Sequence, residues 1–456
     1  MYRLAARRIE LGLLIPVLLL VPLGVTITHI AQSGLADPGP LAVGVVFVGL
    51  MLGAHMVLAW SGHRGDELLL PAVAAMGALG IVMLNRLPQD LAGNPAFNLG
   101  MVGTQLVWFG IGLAAMLVVA IGVRDDGFLR HYKYSWGLLA AALLVVTLLF
   151  GAEVNGARLW IVVGPFGFQP SEAIKVMLVV FLAGYLAENR AVLAGASLRL
   201  GPVALPPIPY LAPMLVVFAA VMLVVVVSRD LGTALLFFGV FLTMLFVATG
   251  RRAYVLFGAV LFVVGAGVAY LLFPHVQERI DTWIDPWADP NGSGYQAVQA
   301  IYAFARGGLL GEGLGQGLPL VDGRLPIPAV HTDMIFAAIG EELGLLGGVA
   351  MLGLVAVIMT RGLRIAVLAR DDFSTMLATG LAAGLVLQSL IIMGGNLKVV
   401  PLTGITLPFV SYGGSSLLAS FVVVGLLLSI SHRSIEADQA ESTELPESAQ
   451  PEMPAG

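Results

Sequence analysis

The chain has 456 residues, of which 58% are hydrophobic and 11% charged, and its mean hydropathy is +0.94. A soluble domain carries about 25% charged residues, so the composition excludes a string of soluble domains, a nucleic-acid binder and a disordered scaffold, and the absence of Cys excludes a disulfide-stapled secreted module. The net charge of −5 is local: residues 433–456 hold six acids against one Arg, leaving 22 basic and 22 acidic residues elsewhere.

A membrane-spanning helix needs about 20 apolar residues. Such windows recur near 11–32, 39–61, 68–86, 103–123, 135–150, 170–187, 209–227, 232–248, 253–273, 335–360, 374–395 and 407–431, which predicts an all-α polytopic membrane protein of about twelve transmembrane helices. The first window follows Arg3, Arg7 and Arg8 but is long and is succeeded by helix after helix, so it reads as an uncleaved span rather than a secretory signal. Residues 433–456, with Pro, Ser and Gln and no apolar periodicity, read as a disordered acidic tail. Lys and Arg favour the cytoplasmic side of a membrane. With the N-terminus inside, the cytoplasmic segments hold fifteen basic residues and the external ones seven (Arg86, Arg158, Arg229, Arg279, Arg306, Arg324 and Lys398), with Lys175 inside a helix; both termini are expected in the cytoplasm.

Those seven external cations run against the bias and direct attention to the external segments. In chain order, NGARLW (155–160) supplies Arg158 and Trp160, and FQPSEAIK (168–175) opens the next helix with Pro170 in its first turn and Glu172 and Lys175 on one face. A lysine near a helix N-terminus opposes the helix dipole and needs a carboxylate, here Glu172 or, across the fold, Asp333. The short turn SRDLGTA (228–234) adds Arg229 and Asp230. The long stretch 274–334 begins with HVQERIDTWIDPWADP, whose Trp283 and Trp287 suit the membrane–water boundary and whose Arg279 suits a lipid headgroup or, equally, plain solvent. Seven glycines between Gly307 and Gly323 lack the following Lys and the preceding strand of a phosphate loop and read as a flexible external loop.

HTDMIFAAIGEE (331–342) is the strongest constellation. Asp333 precedes a long apolar helix, where a His-Thr-Asp sequence is an ordinary cap, while Glu341 and Glu342 fall about 12–14 Å further along a continuous helix, a depth at which carboxylates must be paired, protonated or hydrated. In PLTGITLPFVSYGGSS (401–416), Pro401, Pro408, Gly413 and Gly414 shape the entry to the last helix, with Lys398 and Ser411 as candidates to face a cavity. Cations and a few acids at helix ends on one face suit an anionic lipid headgroup such as a pyrophosphate; a transporter of soluble substrates more often places its charges at mid-membrane.

These motifs, with GYQAVQA (294–300) and PAVHTDMIFAAIGEELG (328–344), stand in the order and spacing of the SEDS family, the FtsW/RodA/SpoVE proteins of bacterial growth and division, which the chain resembles from about 68 to 432. The resemblance implies a ten-helix core over 62–432 with a large external loop at 274–334, preceded by two extra helices within 1–61. It implies a peptidoglycan glycosyltransferase that polymerises lipid II at the outer face of the bacterial cytoplasmic membrane with a class B penicillin-binding protein as transpeptidase, docked on helices 335–360 and 374–395. Asp333 matches the family's essential loop acid, Glu172 and Lys175 its charged pair, Arg158 its basic loop residue and Gln299 its GYQxxQ element. Ala329 and Ser228 stand where the family usually carries an acid and an acid or Gln.

Such a transfer inverts an anomeric centre, so the acceptor hydroxyl needs a base while the departing pyrophosphate needs cations or a divalent metal such as Mg or Mn. The expected roles are Asp333 as base, with Lys175, Arg158, Arg229 and Arg279 near the pyrophosphate; Glu341, Glu342, Ser411, Gly413 and Gly414 are structural or proton-linked. Capping by Asp333 would lower its pKa and weaken it as a base. A lipid II flippase, which would also use buried Glu341 and Glu342, and a non-catalytic scaffold of the cell-wall machinery are the competing classes.

Overall fold

The computed structural model describes residues 7–34, 41–92, 99–154, 157–164, 166–195, 198–200, 203–205, 208–317 and 325–444. Arg324, Asn155 and Gly156 fall outside them, as does the end of the tail, 445–456.

The helices are α1 (Arg8–Ser33), α2 (Leu41–Trp60), α3 (Leu69–Asn85), α4 (Met101–Gly122), α5 (Gly127–His131), α6 (Lys133–Phe150), α7 (Pro170–Ala194), α8 (Ile208–Val227), α9 (Leu231–Thr249), α10 (Arg252–Leu272), α11 (Pro274–Ile284), α12 (Tyr295–Gly307), α13 (Ile335–Val367), α14 (Asp372–Asn396) and α15 (Gly414–Glu444). Among the described residues ten are long and apolar enough to cross a membrane, and α3 and the 212–227 part of α8 are shorter apolar helices; together they occupy the twelve windows expected. The all-α reading holds, and two connections add short strands. β1 (Ala152–Val154), β2 (Ala157–Val163) and β3 (Phe166–Phe168) form an antiparallel sheet, and β4 (Leu198–Leu200) pairs with β5 (Val203–Leu205). Valines, an isoleucine and aromatics in short runs broken by turns favour strands here.

α3 explains the centre of the fold. It is apolar on every face, and a helix apolar all round is buried all round; nearly all its residues are buried among α1, α4 and α13. α1 and α2 are thus part of the packing, α1 against α3 and α2 against α4: Gly24 of α1 lies so close to Val82 of α3 that a Cβ would stand 2.6 Å from that side chain. By contrast α10 buries only Tyr254 and Gly258 and offers the rest of its apolar surface outward, as a peripheral helix in lipid does.

Two features depart from the sequence reading. α15 continues to Glu444, so 433–444 is helical rather than disordered, its early part packed and tied by Arg433 to Asp126 at 2.9 Å. And α13 is broken at Gly344, whose φ of 64° and ψ of −159° interrupt the helix. The glycine-rich segment docks into that break. Glu312 and Gly313 donate their amides to the carbonyls of Glu341 and Glu342 (both 3.0 Å), and Leu345 donates to the Gly308 carbonyl (3.0 Å). Gly308, Gly311, Gly313 and Gly315 all have positive φ, and a Cβ on Gly311 would lie 2.1 Å from the Glu342 carbonyl oxygen. Gly307 and Gly311 serve close approach of two backbones, so the described part of the segment is docked where a flexible loop was expected; Gly323 lies outside the described residues.

Candidate active site

Asp333 lies in a turn between α12 and α13 whose shape is set by other chain segments. The Tyr412 amide donates to the His331 carbonyl at 2.8 Å, and the Ser411 hydroxyl donates to the Thr332 carbonyl. Ser411 also accepts from the Leu407 amide (2.8 Å), and its carbonyl accepts from Gln105 of α4 (3.0 Å). Gly414 is needed because a Cβ there would meet the Trp108 ring at 2.4 Å, and the Gly413 amide faces the Gln105 side-chain oxygen at 3.4 Å. The 401–416 motif therefore builds the seat of the 331–333 turn.

Capping of α13 falls to a residue that the sequence reading missed. Asn396, buried at the end of α14, donates to the Asp333 carbonyl (2.8 Å) and accepts from the Ala337 amide (3.1 Å). The helix N-cap is Met334, without a side-chain bond of its own. The Asp333 carboxylate is thereby released from the capping role; it lies 3.1 Å from the Thr332 hydroxyl and opens on a cavity. Burial raises its pKa above the ordinary carboxylate value, with the Thr332 hydroxyl and Arg279 pulling the other way. The anticipated conflict between capping and basicity does not arise.

The cavity has a volume of about 330 Å³. It lies under α11, and its charged lining is Arg229, Arg279, Lys398, Glu278 and Asp333, with His275, Gln296 and Trp283 among the rest. The roof is pinned by Arg279 to the Leu402 carbonyl (3.1 Å), by Lys398 to the Ile284 carbonyl (3.2 Å) and by Trp283 to the Lys398 carbonyl (3.1 Å). Burial, reinforced by Arg229 and Arg279, lowers the pKa of His275 and keeps it neutral near pH 7, which leaves three cations facing two carboxylates. His275 belongs to this lining and carried no sequence signal beyond its place in the amphipathic α11. Four non-glycine residues have positive φ among the described residues: Arg229 (64°), Ala329 (54°), Lys398 (61°) and Phe409 (65°). All four lie in the loops that build this cavity or its seat, the kind of clustered backbone strain that a functional site retains.

The other expected site residues are distributed around it. Glu172 and Lys175 pair at 2.8 Å in a narrow slot beside the cavity, where Lys175 also donates to Gln388 at 2.6 Å. The segment 402–406 separates slot from cavity: Gly404 approaches Asp333 on one side while Ile405 and Thr406 line the slot on the other. Gln388, unremarked in the sequence, donates to the Thr406 carbonyl at 2.9 Å and so ties Lys175 to that segment. Lys175 therefore stands behind the cavity wall and is not among the residues that line the cavity. Asp230 caps α9 through the Thr233 amide (3.0 Å) and is near enough to sense both Arg279 and Glu172. Arg158 is half exposed on β2, 3.6 Å from Glu153, in an open groove of about 220 Å³ that shares Arg229 with the cavity. Gln299 is not among the lining residues; Gln296, three residues earlier on α12, is.

Glu341 and Glu342 are both buried and ion-paired. Glu342 pairs with Arg86 and accepts from the Gly315 amide (3.0 Å), and Glu341 pairs with Arg306 (2.6 Å) and approaches Arg86 (3.7 Å), all at the helix break. Of the seven cations expected on the external side, two thus pair with these carboxylates and three line the cavity.

The family of cell-cycle proteins FtsW/RodA/SpoVE matches residues 66–436. The peptidoglycan glycosyltransferase RodA of Mycobacterium tuberculosis is 41% identical over 399 residues, covering 85% of this chain and 82% of the relative. The stage V sporulation protein E of Bacillus subtilis is 37% identical over 332 residues (72% and 86%). The probable peptidoglycan glycosyltransferase FtsW of Nitrosococcus halophilus is 36% identical over 383 residues (81% and 93%). Among solved structures, a chain of a peptidoglycan synthase complex that coordinates polymerization and crosslinking aligns with a TM-score of 0.62 at 29% identity, covering 81% of this chain and 98% of that one. The rod shape determining protein RodA of Thermus thermophilus aligns at 0.55 and 28% identity, with 81% and 97% covered.

Proposed function

The chain belongs to the FtsW/RodA/SpoVE family, and from that premise we propose that it is a peptidoglycan glycosyltransferase that polymerises lipid II at the external face of the bacterial cytoplasmic membrane. The observation that carries the site assignment is the release of the Asp333 carboxylate from helix capping by Asn396, beside a cavity bearing Arg229, Arg279 and Lys398.

Asp333 accepts the proton of the acceptor sugar hydroxyl as that oxygen attacks the anomeric carbon of the donor. A base works best with a pKa near the operating pH, and burial moves Asp333 in that direction. The bond from the anomeric carbon to the pyrophosphate oxygen breaks as the new glycosidic bond forms, and Arg229, Arg279 and Lys398 hold the departing charge. The polar, charged lining of the cavity suits the pyrophosphate and the sugar ring beside it rather than a polyprenyl chain, so the lipid runs out along the apolar helix surfaces. Glu172, Lys175 and Gln388 fix the wall behind Asp333, and Arg158 extends the cationic track into the adjoining groove.

Asp333 and Glu278 are the carboxylates of the cavity, and no group of three or more metal-binding side chains occurs among the described residues. A divalent cation such as Mg or Mn fits here only with pyrophosphate and water completing its oxygen shell, so the substrate, more than the protein, would carry it. Such an ion would neutralise the leaving group.

The family's division of labour favours a class B penicillin-binding protein as partner. The lipid-facing Leu345, Leu346, Val349 and Leu352 of α13 offer its single helix an apolar face, whereas α14 is largely buried. A lipid II flippase would also use buried Glu341 and Glu342; both are paired with arginines at the break in α13. Chain-length analysis of products from lipid II and the purified protein, with and without the transpeptidase, tests the reading. Glycan polymer supports it, and translocated but unreacted lipid II overturns it in favour of transport.

A further inference from the structure

At the opposite end of the bundle, a second cavity of about 290 Å³ lies between α1, α13, α15 and the loop before α3. Its lining includes Arg64, Arg361, Arg364, Asp66 and Glu67. Both acids are committed internally. Asp66 pairs with Arg361 (2.5 Å) and caps α3 through the Leu68 and Leu69 amides (2.9 and 3.2 Å), and Glu67 accepts the Glu10 amide (3.1 Å). Arg64 and Arg364 have no ion-pair partner among the described residues and are exposed at the mouth.

The walls are built rather than incidental. Arg7, fully buried at the start of α1, donates to the carbonyls of His63, Gly65 and Asp66 (3.0, 3.1 and 3.0 Å) and so clamps the loop that forms one side. Buried Ser431 of α15 accepts the Asp66 amide at 3.0 Å and closes the other. The rim is apolar, with Ile9 (62% exposed) and Leu368 (50% exposed) continuing into the outward-facing Leu13 of α1 and Leu363 and Val367 of α13. By the distribution of Lys and Arg this end faces the cytoplasmic leaflet, whose anionic lipids attract basic pockets between helices.

We propose that this cavity binds the phosphate of an anionic phospholipid, with Arg64 and Arg364 on the phosphodiester and the acyl chains along Ile9, Leu13, Leu363 and Val367. The site joins the extra helix α1 to the core and is independent of the reaction at the other face.

The test is native mass spectrometry of the full chain with phosphatidylglycerol, with phosphatidylcholine, and with inorganic phosphate as competitor. Each arginine near such a headgroup changes binding about fivefold, so the Arg64→Gln, Arg364→Gln double variant is expected to lose more than tenfold in phosphatidylglycerol retention, while wild type prefers that lipid over phosphatidylcholine and resists displacement by phosphate. Both substitutions are at exposed positions, and the thermal transition is expected to be unchanged. Equal retention of the two lipids, equal retention by the variant, or full displacement by inorganic phosphate, which would make it a soluble-anion site, each overturns the proposal.

Discussion

Asn396 decides what Asp333 is free to do. With the Ala337 amide satisfied from α14, the carboxylate keeps a raised pKa and points to a cationic cavity. Asn396→Ala leaves α13 uncapped at a cost of about 1 kcal/mol and invites Asp333 into the vacancy, which lowers its pKa. The expected result is a larger loss in kcat than in KM, with the ascending limb of the pH–rate profile moved to lower pH. Arg279→Gln acts in the other sense, since Arg279 favours the ionised form of Asp333; its limb moves to higher pH. The same shift has a stability consequence. Because the folded-state pKa of Asp333 exceeds the unfolded one, the folded chain binds more protons between the two values, so stability falls as pH rises through that interval and stays reduced above it. Asp333→Asn is therefore expected to unfold at the same or a higher temperature than wild type at neutral pH.

The break in α13 shows why whole elements resist reading by pattern alone. An apolar run from 335 to 360 predicts one straight helix, and that helix buries two glutamates at a depth where they need an explanation. The explanation is distant in sequence: Gly344 opens the helix, the 307–315 glycines enter, and Arg86 and Arg306 arrive with them. Removing one partner of such a buried pair costs about 3–5 kcal/mol, whereas replacing both by apolar residues is nearly neutral. Glu342→Leu is thus expected to lower the unfolding midpoint markedly, and the Arg86→Met, Glu342→Leu pair to recover much of it. Gly311→Ala, which sets a Cβ at 2.1 Å from the Glu342 carbonyl, is expected to undock the loop and raise amide hydrogen exchange across 308–315.

Across the whole molecule, hydropathy was enough to place the apolar helices, because length and apolarity are local properties: all twelve windows are occupied by them, and ten among the described residues are long enough to cross a membrane. That Asp333 would meet some of the cations expected outside was legible as well, since charge against the inside-positive bias must be compensated somewhere, and Arg229, Arg279 and Lys398 line one cavity with it. Which cation serves which acid was not legible. Arg279 and Lys398 enter the cavity while Lys175 is walled off by 402–406, and Gln388 and Asn396 look like ordinary amides inside apolar helices until α14 is set beside α7 and α13. The extra helices follow the same logic. Their role appears only in contacts such as Gly24 on Val82 and Arg7 on the 63–66 loop.

The central claim is that the Asp333 carboxylate performs proton transfer in a cavity that other residues hold ready. Purified wild type and Asp333→Asn, each with the proposed transpeptidase partner, are compared for glycan polymer formed from saturating lipid II, with substrate binding measured in parallel. General-base catalysis contributes about 10²–10⁴-fold, so polymer is expected to fall by at least about 10²-fold while lipid II still binds and the fold is intact. Polymer formation within a few fold of wild type would contradict the account.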